Sequence, residues 1–189
     1  HQARRLATNG GRMQFDLVCH PATPPAEPFK LWANVDYAGA FGTMGTLNIW
    51  YACDAPIARF ALADRGPAMR RDELWRTTCF EAFVRDPGEP AYREYNFAPS
   101  GDWAAYDFDG RRDGMRPAEI GAAPYIRLED NLTWWTLGAT VALETGRPWV
   151  LGLSAVIEEA DGTTSYWALA HHDAKPDFHD PACFTATLG

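Results

Sequence analysis

Two places in the 189-residue chain collect side chains that could do chemistry. In LWRTTCFEAF, Trp75 stands six residues before Glu81, and beyond the turn Asp86-Pro87-Gly88-Glu89-Pro90 the segment YREYNF supplies Arg93, Glu94 and Asn96. An indole offers a flat face to C–H groups, and carboxylate and amide groups pair with hydroxyls, so this set suits a sugar ring. The alternative is a solvated face on which Arg76 or Arg93 neutralises the carboxylates. Farther along, YWALAHHDAKPDFHD gathers His171, His172, Asp173, Asp177, His179 and Asp180. Imidazole and carboxylate are ordinary zinc or iron ligands, which makes His171, His172, Asp177 and His179 candidates for a metal site. The spacing matches no HExxH motif, and a hydrogen-bonded structural loop explains the same residues.

Other chemistries lack their parts. There is no GxSxG around any serine, so a hydrolase triad has no nucleophile elbow. Cys79 falls inside a strand pattern, where a thiol packs rather than attacks. Seventeen Lys+Arg against twenty-five Asp+Glu give a net charge of −8, which removes the basic footprint that phosphate backbones require. No nucleic-acid partner is expected. No apolar run approaches the roughly 18 residues of a spanning helix, so no membrane partner is expected either. The four cysteines, Cys19, Cys53, Cys79 and Cys183, are far apart without CxxC. They read as buried free thiols of a reducing compartment, the alternative being a disulfide pair in an exported protein, and the expected location is the cytoplasm.

Strands must position these residues. Residues 1–12, HQARRLATNGGR, are polar and without apolar period, and read as a tag remnant or disordered leader; residues 13–189 form one domain. Met13, Phe15 and Leu17 open an alternation. TLNIWYA (46–52) and ARFALA (58–63) suggest a hairpin, and 64–72 is a loop with a turn or two of helix around 70–75. Phe80, Ala82 and Val84 take one parity; Cys79, Glu81 and Phe83 take the other. A hairpin centred near Gly88 places Glu94 or Tyr95 across from Glu81. WAAYDF and YIRLED are further strands, and LTWWTLGATVAL alternates through Trp135, Leu137 and Val141. Asp161-Gly162 joins WVLGLSAVIEE to TSYWALAHH as a hairpin. Nine or ten short strands with turns every 8 to 12 residues mean an all-β antiparallel two-sheet β-sandwich. Its expected core contains Phe80, Ala82, Val84, Trp135, Leu137, Val141, Leu151, Leu153, Ala155 and Ile157.

DELWRTTCFEAFV, YREYNFAPSGDWAAYDFDGRRDGM and EEADGTTSYWALAHHDAKPDFHDPACF together resemble the bacterial DOMON-like domain proteins, related to family 9 carbohydrate-binding modules. The resemblance runs from about Met13 to Phe184. It implies a β-sandwich that binds sugars or haem. In the sugar modules a tryptophan six residues before a strand glutamate and an arginine on the next strand form the site, which maps to Trp75, Glu81 and Arg93 here. Trp103 and Trp167 are candidates for the second stacking ring. The haem branch implies an axial Met/His pair, drawn from Met44, Met69 or Met115 with His171, His172 or His179.

The expected function is non-catalytic binding of a small glycan or sugar-like ligand by Trp75, Glu81, Arg93, Glu94, Asn96, Trp103 and Trp167, without a cofactor. The alternatives are a haem- or metal-binding redox protein, an enzyme using the His171–His179 loop, and a protein-interaction domain presenting Trp32, Trp50 and Trp134. Pro176 turns the last loop back over one end of the sandwich. Phe178 would plug the open core there. Asp177 and His179 would share a side, either lining the Trp75 and Glu81 face or capping the loop through backbone amides.

Overall fold

Alternating apolar residues produce thirteen strands in the computed structural model, which describes residues 6–7, 12–39 and 43–189. They are β1 (Leu6–Ala7), β2 (Met13–Cys19), β3 (Leu31–Ala38), β4 (Met44–Cys53), β5 (Cys79–Arg85), β6 (Tyr92–Phe97), β7 (Trp103–Phe108), β8 (Arg116–Pro117), β9 (Tyr125–Asp130), β10 (Trp135–Glu144), β11 (Trp149–Glu158), β12 (Thr164–Ala168) and β13 (Ala186–Leu188). Among the described residues there is no α-helix, only single 3₁₀ turns at Ile57–Arg59, Leu74–Arg76 and Pro181–Cys183.

The strands pair antiparallel in one path, β8-β7-β6-β5-β11-β12-β2-β3-β4-β10-β9, with β1 beside β2 and β13 beside β11. The all-β antiparallel expectation therefore holds. The two expected layers are halves of one curled sheet, joined where β12 meets β2 through Trp167↔Cys19 and Ala168↔Val18.

The halves face each other across the core. Leu47, Ile49 and Tyr51 of β4 and Trp135, Leu137 and Val141 of β10 meet Phe80, Ala82 and Val84 of β5 and Leu151, Leu153, Ala155 and Ile157 of β11. All ten residues expected in the core are buried there. Each large side chain contributes about 1.5–3 kcal/mol by leaving water. Ring contacts cross the gap: Tyr51 to Phe80 at 4.9 Å and Phe80 to Trp135 at 5.7 Å. The Tyr51 hydroxyl donates to the Glu81 carbonyl at 2.7 Å, fastening one half to the strand that carries the candidate site.

Turn chemistry explains the hairpins. Gly162, at φ +90°, closes the β11–β12 hairpin in a conformation that side chains resist. ARFALA departs from expectation: Ile57–Arg59 forms a 3₁₀ turn after Pro56, and only Phe60 bridges, to Glu159. Proline before the segment and the Arg59 ion pair to buried Glu159 at 2.8 Å hold it as a cap rather than a hairpin strand. The reading of residues 1–12 as a leader lies largely outside the described residues, although Leu6 and Ala7 pair with Gln14 and Met13.

Candidate functional site

β5, β6, β7, β11 and β12 carry a second set of side chains on the face turned away from the core. Parity places Glu81 and Phe83, Tyr92, Glu94 and Asn96, Tyr106 and Phe108, Ser154 and Val156, and Tyr166 there. Register corrects one detail. Asn96, not Glu94 or Tyr95, pairs with Glu81, and Glu94 pairs with Phe83. The turn holds the two strands two residues out of the expected alignment, so parity survives and the carboxylates sit diagonally rather than directly opposed.

Three segments wall this face into a cleft of about 310 Å³. The first is the 3₁₀ turn Leu74–Arg76, whose Trp75 ring meets Tyr106 at 5.9 Å. The second is the turn between β7 and β8, with Arg112 and Met115. The third is the segment after β12, which brings Pro176, Phe178 and His179 over the sheet. Phe178 thus packs on the outer cluster with Val156 and Tyr166 and does not plug the end of the core. The reason is that β12 ends at Ala168, before the histidines, and the chain folds back across the outward face. Glu73 (φ +61°) and Arg112 (φ +56°) are the two non-glycine residues with positive φ among those described, and they flank the cleft. Such backbone costs about 1 kcal/mol or more and concentrates where a surrounding site holds it.

The floor is polar and buried. Glu81 and Glu94 are each 3% exposed. Ser154 Oγ donates to Glu81 Oε2 at 3.0 Å. Burial first, and then the neighbouring Glu94, push the Glu81 carboxyl well above the ordinary range. Burial also pushes Glu94 up to about 7, tempered by the Asn96 amide and Arg112. Asn96 is fully buried, and neither polar atom of its amide reaches a proper hydrogen bond, so its influence on Glu94 is one of proximity. Burying an amide without partners costs about 1–3 kcal/mol.

His179 stands at one wall. The Tyr92 hydroxyl lies 2.7 Å from its Nδ1 and accepts from the Arg112 backbone N–H at 3.2 Å. Nε2 of the same ring faces Glu94 Oε2, 3.6 Å away. Burial, followed by the Arg112 charge, pulls the imidazole down to about 4, so it is neutral at pH 7. Arg112 itself is held at the rim by Asp177 at 2.8 Å, and Arg111 pairs with Asp177 and with Asp173.

Trp75, Glu81, Glu94 and His179 therefore line one cleft, with Asn96 on the same sheet face. Arg93 points the other way, to Asp107 at 2.7 Å, and the cation at the cleft is Arg112. Trp103 and Trp167 are buried in the core and do not reach the cleft. His171 binds the Val18 carbonyl and His172 the Ala182 carbonyl, while Asp177 caps the His179 N–H as well as pairing with the arginines. Among the described residues no three His, Cys, Asp or Glu side chains are grouped to hold a metal. Of the Met/His pairs, Met115 and His179 line the same cleft, and an iron at Nε2 would have to displace the Glu94 contact. Sequence reading missed Tyr92, Tyr106, Phe108 and Ser154, all recoverable from strand parity, and Arg112, for which a Gly-flanked turn is the only signal.

No protein-family model matches the chain, and no curated protein sequence matches it. Among solved structures it is similar to a "putative carbohydrate-binding protein" from Bacteroides uniformis, with a TM-score of 0.61 at 14% identity, covering 93% of this chain and 84% of that one. At that identity the likeness is one of fold.

Proposed function

We propose that the protein is a non-catalytic sugar-binding module of the DOMON-like, family 9 type, its curled sheet a variant of the two-layer sandwich, and that the cleft over β5 and β6 is its binding site. The observation that carries this reading is the pairing of an apolar wall with a buried acceptor floor: Trp75, Phe108, Val156 and Phe178 beside Glu81 and Glu94. A pyranose has that same division, with C–H faces that stack and hydroxyls that donate. The fold likeness to a protein described as carbohydrate-binding supports it.

A glycan array probed with the wild type and with Trp75→Ala tests the reading. At least one neutral oligosaccharide class should bind and lose about tenfold or more in affinity without the indole, corresponding to about 1.4 kcal/mol of lost stacking. Absence of any bound glycan, or binding indifferent to Trp75, overturns it.

A further inference from the structure

The cleft floor holds two buried carboxyl groups with no cation hydrogen-bonded to either, and that identifies a narrower ligand class. Four polar side chains on the floor are at least nine-tenths buried: Glu81, Glu94, Asn96 and Ser154. Glu81 receives the Ser154 hydroxyl, while the Glu94 carboxylate has His179 Nε2 at 3.6 Å, beyond hydrogen-bond length. The buried Asn96 amide, cross-strand partner of Glu81, is unbonded at both its nitrogen and its oxygen. Nearby cations are turned elsewhere. Arg112 is fixed on Asp177, Arg111 on Asp173 and Asp177, and Arg93 on Asp107 across the sheet. Of the remaining titratable groups, Tyr92 is engaged with His179 and Tyr106 donates to Asp72 at 2.6 Å. Tyr166, on β12, lines the cleft.

Resting on the sugar-binding reading above, we infer that the cleft prefers a sugar carrying a free amine, with the ammonium seated between Glu81 and Glu94. An ammonium brings three donors and a positive charge to carboxyl groups that Arg112, paired with Asp177, influences only from the rim. A neutral hydroxyl supplies one donor and brings no charge to favour the ionised form of Glu94. Charge-assisted hydrogen bonds are roughly twice as strong as neutral ones, so the amine should be favoured by about tenfold or more. The shifted carboxyl pKa values add a signature. Glu94 is held near 7 without a ligand, and a cation beside it lowers that value, so binding should expel protons near neutral pH.

Three trisaccharides that differ only at C2 separate the possibilities: the β-1,4 trimers of glucosamine, N-acetylglucosamine and glucose. Calorimetric titration of the full chain at pH 6.5 should rank the glucosamine trimer about tenfold or more above the other two. Its heat should vary with buffer ionisation enthalpy in the sense of proton release, and by linkage its advantage should grow as pH rises through the Glu94 range near 7 and fall again once the amine loses its charge. Glu94→Gln, close to isosteric, should bring the ratio of glucosamine to glucose trimer affinity toward one. Trp75→Ala should weaken both without changing that ratio. If the glucose or N-acetylglucosamine trimer binds as tightly as the glucosamine trimer, the amine preference is wrong and the sugar reading stands. If the ratio persists in a Glu94→Gln variant whose near-ultraviolet circular dichroism matches wild type, the assigned seat is wrong. If none of the three binds, the amine preference falls together with its basis in these sugars.

Discussion

On β3 the outward side chains Trp32, Asn34 and Asp36 are all partly in solvent, whereas on β5 the outward Cys79, Glu81 and Phe83 are all buried. Both strands turn a fully apolar face to the same core. One half of the curled sheet is an ordinary antiparallel surface with water on its back, and the other is covered on both sides. The cover over β5 and β6 consists of loops, and it buries carboxylates that a wet surface would solvate without cost. Burial of Glu81 and Glu94 subtracts from stability, so the difference between the halves separates residues that hold the fold from residues that equip it.

The largest effect should come from the face the halves share. Trp135→Ala removes a ring packed on Phe60 and Phe80. The expected loss is about 3–5 kcal/mol, seen as a fall of about 10 °C or more in Tm by thermal denaturation. A loss under 1 kcal/mol would mean that the halves are not joined through this core.

An effect of opposite sign is expected from the covered outer face. Glu94, at about 7 in the folded chain against 4.5 ordinarily, holds its proton more tightly when folded. Its contribution is therefore complete below pH 4.5 and is lost as pH rises through 7. Glu94→Gln should gain stability relative to wild type by about 2 kcal/mol between pH 4.5 and pH 8, read from urea melts at the two values. His179 runs the other way, its neutral form favouring the fold above pH 6.5 and losing that advantage as pH falls toward 4. The solvated back gives the smallest effect. Asn34→Ala on β3 should move stability by no more than about 0.5 kcal/mol at either pH. A larger change there would erase the contrast between the halves.

Alternation made the shared core readable from the sequence, because one parity each of β5, β10 and β11 is apolar throughout its central residues: Phe80, Ala82 and Val84; Trp135, Leu137 and Val141; Leu151, Leu153, Ala155 and Ile157. Of the two alignments the turn left open, the one opposing Glu94 to Glu81 put Glu81, Glu94 and Asn96 on one face, and the two-residue slip from it preserves that parity, whereas the Tyr95 alignment would have divided them. It could not show that the face is covered. That depends on where Arg112, Phe178 and His179 land, and these belong to loops whose paths are set by distant partners such as Asp177 and Tyr92. Arg93 illustrates the limit: its neighbour Glu94 enters the cleft, so by the pleat of β6 it had to leave it. Trp103 and Trp167 look like ligand platforms by type and are core residues by parity.

The narrow seam between β12 and β2 has a consequence for the order in which the chain matures. Cys19 and Trp167 meet there, one synthesised early and the other late, and β5 waits in the same way for β11. During synthesis β2, β3 and β4 can zip together as neighbours, as can β5, β6 and β7. No strand pairing joins the two groups until residues beyond 150 have emerged, and the cleft has no third wall until Phe178 and His179 follow. Such long-range pairing makes for slow closure, with exposed strand edges in the interval. From the emergence of β7 until β11 follows, the nascent chain therefore holds two ribbons not yet paired to each other, and binding capacity arrives with nearly the last residues of the cleft rather than growing strand by strand.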